Sequence, residues 1–333
     1  MAKKSRGGNG VTVFDVAEHA GVSIATVSRA LSGTRPMSDR LRERVRESAD
    51  ELGYQVNLVG RALRQKKTST LGLVIPDLEN PFFSSLAQRI SRRFAVSEVD
   101  VLVASADNDC DQETRAVQSF LGRQVDALVM VPTDEAESAS ALHLANEAVP
   151  TIQFDRQVPD VPITYIGCDN SAGMRLIDQY ITEHIDTDEQ PVMLVGGGES
   201  SSSGRERSSS LMDLRNPIEH LEGSFSFTWG QQAAEQILTQ GHRRATIVAG
   251  ADVVALGVIS WLTSSGYRVP EDFRVIGFDD VGVAYLAHPS LTTIRQPLEE
   301  MTHAIEKVIY GNTGDQDMGN ERFTPQLVVR ESG

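Results

Sequence analysis

Cysteine is nearly absent from the 333-residue chain: only Cys110 and Cys168 occur, without the paired spacing of a metal site or a small disulfide scaffold. Two unpaired thiols in a reducing compartment are therefore expected. Long apolar runs are missing too. No stretch approaches the ~18–20 residues of a membrane span, and the basic start MAKKSRGGNG leads into VTVFDVAEHA rather than an apolar signal core. These absences predict a cytoplasmic protein with no membrane partner. Histidine is sparse, with seven residues scattered without metal-ligand spacing, and no nucleophile–base–acid set is evident. Catalysis, a metal and a cofactor are thus not expected.

Net positive charge is also lacking, at −15 overall, yet the deficit is unevenly distributed. Residues 1–67 hold 13 Lys/Arg against 7 Asp/Glu, whereas the remainder holds 18 against 39. A small basic head on a strongly acidic body points to a polyanionic partner for the head, since the body repels nucleic acid. The length suggests two or three folding units of about 100–150 residues. Hydrophobic residues at 40% and charged ones at 23% fit a globular chain.

The head reads as three short helices. Thr12 is a plausible N-cap before 13–20, where Phe14, Val16, Ala17 and Ala20 are expected to make one apolar stripe, and Gly21 stops the helix. Ser23 caps a second helix, 24–31, with Val27, Ala30 and Leu31 inward and Ala25, Ser28, Arg29 and Ser32 outward. Two helices joined by a tight Gly turn make a helix-turn-helix. A third begins near Ser38, buries Leu41, Val45, Ala49 and Leu52, and breaks at Gly53. The outward face of the second helix is small and polar, as a helix lying deep in a major groove requires. Arg29 suits guanine O6 and N7, and Ile24 and Ala25 suit thymine methyls. Ser23, Thr26, Ser28 and Ser32 suit phosphates, which fix register without reading sequence. The plainer alternative places Ile24 in the core and Arg29 on a solvated face.

Asn57 can cap a last short helix, LVGRALRQ, followed by a linker over 66–70. With an internal glycine, which costs ~1 kcal/mol relative to alanine, so short a helix should form only on a partner. Leu63 is either a simple linker leucine or a wedge for the minor groove, flanked by Arg61 and Arg64 for phosphates. The run VTVFDVAEHAGVSIATVSRALSGTRPMSDRLRERV followed by NLVGRAL closely resembles the lactose/galactose repressor family of bacterial transcription regulators. The resemblance implies that Ile24, Ala25 and Arg29 read bases. It further implies that paired hinge helices insert their Leu63 side chains at the centre of a pseudo-palindromic double-stranded operator, which requires a homodimer.

From residue 70 onward β-branched runs alternate with helical patterns: LGLVIP, VDVLVAS, ALVMVP and PTIQFD, with helices at 84–96, 111–124 and 136–148. A second set has PVMLVGG, ATIVAG and RVIGFDD as strands and helices at 171–185, 230–240 and 252–265. This rhythm predicts helix-covered parallel sheets in two lobes, with sites beyond the carboxyl ends of the strands. The domain boundaries expected are 1–56 for the all-α head, 57–69 for hinge and linker, and 70–333 for the sensor. Lobe one should span about 70–168 and 297–320, and lobe two about 169–296 and 321–333. GGGESSSSG lacks the Gly-Lys-Ser/Thr ending of a phosphate cradle and reads as a mobile loop.

NPFF (Asn80 to Phe83), Asp155–Arg156, Asp279 and Gln296 each follow a strand. Their chemistry suits a polyhydroxylated ring: aromatic faces cover C–H surfaces, carboxylates accept from hydroxyl pairs, and a guanidinium donates to oxygen. Taken singly, each also reads as a turn or core residue. The order of motifs resembles the periplasmic-binding-protein-like sensor of the same repressors, most of all the ribose-binding members. That similarity implies a pocket of Asn80, Phe82, Phe83, Asp155, Arg156, Arg207, Phe225, Asp279 and Gln296 for a pentose or nucleoside. Two departures stand out. Ala251-Asp252 occupies the place of a usual Asn-Asp, losing a sugar-binding amide, and 208–223 is shorter and more polar than the usual segment. Two rival readings are a pure solute-binding module, which needs an export signal, and a sugar-processing enzyme with an accessory head, which needs a catalytic set.

Overall fold

A computed structural model describes residues 11–32, 37–54, 67–198, 200–311 and 320–333. The chain divides into two compact units, Met1–Thr68 and Ser69–Gly333. In the first, helix α1 (Val13–Ala20) opens on a reciprocal cap: the Asp15 carboxylate accepts from the Thr12 backbone N–H at 2.8 Å and from its hydroxyl at 2.7 Å. Gly21, at φ +62°, closes the helix in a left-handed turn that a side chain would strain. Ser23 then caps α2 (Ile24–Ser32), accepting from the Thr26 N–H at 3.2 Å, and α3 (Asp39–Leu52) ends at left-handed Gly53. Val16, Ala17, Ala20, Val27, Ala30, Val45 and Ala49 form the small core. Phe14 does not join it and is 65% exposed. The buried positions of α1 recur from Val13 in steps of three and four, so Phe14 falls about 100° off the stripe despite its apolar side chain.

The second unit contains, among the described residues, two six-stranded sheets, ordered β11-β5-β4-β3-β1-β2 and β12-β10-β9-β8-β6-β7. The first comprises β1 (Thr70–Ile75), β2 (Asp100–Ser105), β3 (Ala127–Met130), β4 (Thr151–Phe154), β5 (Tyr165–Cys168) and β11 (Glu321–Phe323). The second comprises β6 (Val192–Val195), β7 (Glu219–Leu221), β8 (Ala245–Ala249), β9 (Phe273–Asp279), β10 (Thr292–Arg295) and β12 (Gln326–Val328). The central strands β3 and β8 are buried throughout and β1 at all but Thr70, as expected of parallel strands with helices on both faces. Helix α4 (Pro81–Ala95), for example, buries Phe82, Phe83, Leu86, Ile90 and Phe94 at helical spacing.

The chain crosses between lobes at Asp169, at Gln296–Pro297 and at Thr324–Pro325. The third crossing lies beyond the expected boundary at 320/321. β11 pairs in parallel with β5, placing Glu321 beside Ile166 in the sheet of lobe one. Pro325, without a ladder donor, stands between the two edge strands. β12 then pairs antiparallel with β10, so the second sheet is parallel except at this edge. The serine-rich loop expected at 196–204 also needs correction: Ser201 caps α8 (Ser202–Leu214), accepting from the Gly204 N–H at 3.4 Å. Among the described residues no helix is long and apolar enough to cross a membrane.

Leu73 in β1 is fully buried. Leu73→Ala should therefore destabilise the second unit by about 2–5 kcal/mol, read as a lowered urea midpoint with unchanged slope.

Candidate functional site

Helix α2 presents a polar face around an apolar tip. Ile24 is 40% exposed, Ala25 and Arg29 are exposed, Thr26 and Ser28 are half-buried, and Val27 and Ala30 point into the core. Ser23 and Thr26 share a hydroxyl contact of 2.9 Å at the helix start, where free N–H groups favour an anion. Ser32 is the last residue of α2. Asn57, Arg61, Leu63 and Arg64 lie outside the described residues.

The second candidate site lies between the lobes, where strand ends of both sheets meet. Asn80 is the buried N-cap of α4; its side-chain oxygen accepts from the Phe82 N–H at 3.0 Å, and Pro81 occupies the first helical position. Phe82 and Phe83 pack edge to face at 5.3 Å. After β4, Asp155 adopts φ +63° and the Tyr165 hydroxyl donates to its carbonyl at 3.1 Å. The Arg156 guanidinium sits 5.5 Å from the Phe83 ring centroid and 5.6 Å from that of Phe225, and donates to the carbonyls of Pro132 and Thr133.

From lobe two, α8 supplies Arg207, which is buried over the Phe278 ring at 3.8 Å. Its Nε donates to Asn170 Oδ1 at 2.8 Å, and its Nη1 to the Gly250 carbonyl at 2.8 Å and to Asp279 Oδ1 at 3.4 Å. Gln296, at the second crossing, donates to the same Asp279 oxygen at 2.8 Å. An inner cavity of about 10 Å³ is lined by Asn80, Phe82, Phe83, Asp155, Arg156, Arg207, Phe225 and Asp279, with Ser203 and Ala251. Gln296 stands behind it through Asp279. The space is on the scale of one water, and it continues past Asn80, Arg156 and Phe225 into an outer cleft of about 780 Å³.

Sequence reasoning missed Asn170, which anchors Arg207 from the start of α7 (Asn170–His184), and it gave Asp252 no role. Ala251 lines the inner cavity, but the buried Asp252 carboxylate accepts from the Val281 N–H at 2.9 Å and the Thr293 hydroxyl at 2.5 Å. It fastens α10 (Asp252–Ser264) to the ends of two strands. No local signal announces either bond, because the partners lie 29 and 41 residues away.

The start of α8 also clasps the two lobes. Arg205 donates to both carboxylate oxygens of Glu135 at 2.9 and 2.8 Å, and the Glu135 N–H donates to the Ser200 carbonyl at 2.9 Å. The Gln157 N–H reaches Ser202 Oγ at 2.7 Å, and Arg322 of β11 pairs with Glu206 at 2.5 Å.

Burial raises the Cys110 thiol to about 11, with Glu113 adding to the effect, so the cysteine in the outer cleft is no ready nucleophile. Burial likewise raises Asp279 to about 7; Arg207 opposes the shift and Asp155 adds to it. Asp155 is raised by the same loss of water, against Arg207 and Arg156. A carboxyl whose value is raised on folding favours the protonated folded state. Its contribution is present below the ordinary value near 4 and is lost as pH climbs towards about 7. The melting-temperature difference between wild type and Asp279→Asn should therefore shift against wild type as pH rises from about 4 to about 7. A difference constant across that range contradicts the assignment.

The comparisons with known proteins agree with this geometry. "Bacterial regulatory proteins, lacI family" matches residues 12–57, and "Periplasmic binding protein-like domain" matches 212–333. Catabolite control protein A of Priestia megaterium is 31% identical, over 97% of this chain and 99% of the relative. The ribose operon repressor of Halalkalibacterium halodurans is 27% identical, over 96% of each chain. A crystal structure of the lac repressor dimer bound to operator and the anti-inducer ONPF superimposes with a TM-score of 0.85 at 27% identity, covering 97% of this chain and 99% of that one. The helix-turn-helix head and two-lobed sensor are those of this fold, and the relatives are regulators rather than enzymes. The chain belongs to the lacI family of bacterial regulatory proteins and is a DNA-binding transcription regulator.

Proposed function

We propose that the chain is a cytoplasmic repressor that binds a pseudo-palindromic operator as a homodimer. In this reading it is controlled by a small polyhydroxylated effector, a ribose or a ribose-containing molecule such as a nucleoside, held between the lobes. The observation that carries the reading is the convergence of eight of the nine expected pocket residues, from both lobes, on one interlobe cavity, in a chain whose first unit exposes Ile24, Ala25 and Arg29 on a capped helix. The ribose operon repressors among the relatives and the operator-bound lac repressor dimer support it.

Ile24, Ala25 and Arg29 would meet base edges, and Ser23, Thr26, Ser28 and Ser32 phosphates. Asn57, Arg61, Leu63 and Arg64 belong to the hinge part of the same reading. Effector hydroxyls would engage Asp155 and Arg156 from lobe one and Arg207, Asp279 and Gln296 from lobe two, with aromatic cover from Phe82, Phe83 and Phe225 and a cap from Asn80. A ligand held from both sides favours one interlobe angle, and that angle biases the ordering of the short hinge helix. Coupling of about 1–3 kcal/mol suffices for regulation.

Gel-shift titration at fixed salt tests this. Arg29→Ala should weaken binding to the preferred palindromic duplex by about 1–3 kcal/mol and relax its selectivity. Saturating ribose should change wild-type affinity. No preference for any palindromic duplex over random sequence rejects the repressor reading, and unchanged affinity at saturating ribose rejects ribose.

A further inference from the structure

Ser69 is the first residue of the second unit, and its backbone adopts φ +53°, in the left-handed region that a residue with a Cβ disfavours. Among the described residues most other non-glycine positions of this kind are Asp or Asn, whose short side chains tolerate it. Ser69 is held by partners distant in sequence. Its N–H donates to Asp126 Oδ2 at 2.7 Å, and its carbonyl accepts from the Asp100 N–H at 2.9 Å. The carbonyl of the next residue, Thr70, accepts from the Asp126 N–H at 2.8 Å. Asp100 opens β2 and Asp126 precedes β3, the two neighbours of β1, so residue 69 is gripped from both sides of its strand. An unfavourable backbone angle persists only where the surroundings over-determine it.

The sheet itself does not need this device. The ladders of β1 run from Thr70 and Leu71 onward and do not involve the Asp126 side chain. What that side chain fixes is the backbone direction at residue 69, where the linker expected over 66–70 joins the sensor.

Two helices connect this point to the interlobe cavity. Gln296, which donates to Asp279, is followed by Pro297 and α12 (Leu298–Tyr310), a rod about 20 Å long. Its far end lies near Asp126: burial raises the Tyr310 hydroxyl, and the charges of Asp126 and Glu306 add to the effect. Helix α4 begins at Asn80–Phe83 on the cavity wall and leads through 96–99 to Asp100, the other partner of Ser69. The two rods are fastened together, with Glu306 accepting from Arg93 Nε at 2.9 Å and the Tyr310 and Phe94 rings 6.0 Å apart. Rigid elements of this kind carry displacements between distant sites.

Resting on the proposed control of hinge ordering by the sensor, we propose that Asp126 is a positioning residue for operator binding: by holding Ser69 it sets the direction of the linker and passes movements of α4 and α12 to it. The test is a gel-shift titration of the full chain at fixed salt, with the palindromic duplex that wild type selects from a random pool and with a random-sequence duplex. Asp126→Ala should weaken binding to the selected duplex about tenfold. Affinity for the random duplex should not change, because the head is untouched. Asp126→Asn keeps an acceptor for the Ser69 N–H and should recover most of the loss. Ser69→Gly, which suits the left-handed angle and keeps the N–H, should bind within about threefold of wild type. Ser69→Pro lacks the N–H and has φ fixed near −65°, yet leaves both ladders intact; it should match Asp126→Ala and decides the matter if that variant does not fold. A purely structural Asp126 would lower the urea midpoint while the selected duplex stays bound as tightly, which overturns the proposal. Equal weakening on both duplexes, or wild-type affinity in Ser69→Pro, overturns it as well. A wild type without a preferred palindrome defeats the regulator and the anchor together, whereas a selective wild type matched by Asp126→Ala defeats the anchor alone.

Discussion

A guanidinium taken out of water must be surrounded by acceptors, and the sensor is built around one such group. Arg207 is 3% exposed, and its partners come from three segments distant in sequence: Asn170 at the first crossing, the Gly250 carbonyl after β8, and Asp279 at the end of β9. Removing any partner strands a buried charge, whose penalty far exceeds that of a lost surface pair. Asp279 in turn ties in Gln296, which belongs to the second crossing between lobes. The first and second crossings, beside Asn170 and at Gln296, are thus tied to one buried network.

Around that floor the contacts are weaker. The Arg205–Glu135 and Arg322–Glu206 pairs are partly exposed, a class of contact worth about 0–1 kcal/mol each. Strong ties near the crossings and weak ties at the clasp give the lobes a pivot and a detachable contact. A ligand that interacts differently with the open and closed arrangements shifts their balance. In the proposed function, that balance is what a short hinge helix converts into operator affinity.

Much of this was legible in the residues, for identifiable reasons. The head declares itself through punctuation: Thr12, Gly21, Ser23, Ser38 and Gly53 sit at the caps that their chemistry favours. Phe14 misled because apolar identity was weighed without the helical phase that Val13 sets. The strands of the sensor are short buried runs between helices, and NPFF, Asp155–Arg156, Asp279 and Gln296 were readable as strand-end residues. Three features were not readable. The serines at 201–203 look like a loop by composition, yet one cap and the packing of Leu211 make them the start of a helix. β11 and β12 have three residues each, too few for a period to register. The bond that holds Ser69 comes from Asp126, 57 residues away, and only folding joins them.

The tie between lobes is most directly measured by a double-mutant cycle on Asp155 and Asp279, one carboxylate from each side of the junction. Urea unfolding of wild type, Asp155→Asn, Asp279→Asn and the double variant at pH near 7 supplies the four free energies. Non-additivity of about 0.5–3 kcal/mol is expected if both belong to one buried network spanning the lobes. Additivity within about 0.3–0.5 kcal/mol would contradict it, leaving two independent sites that happen to line the same cavity.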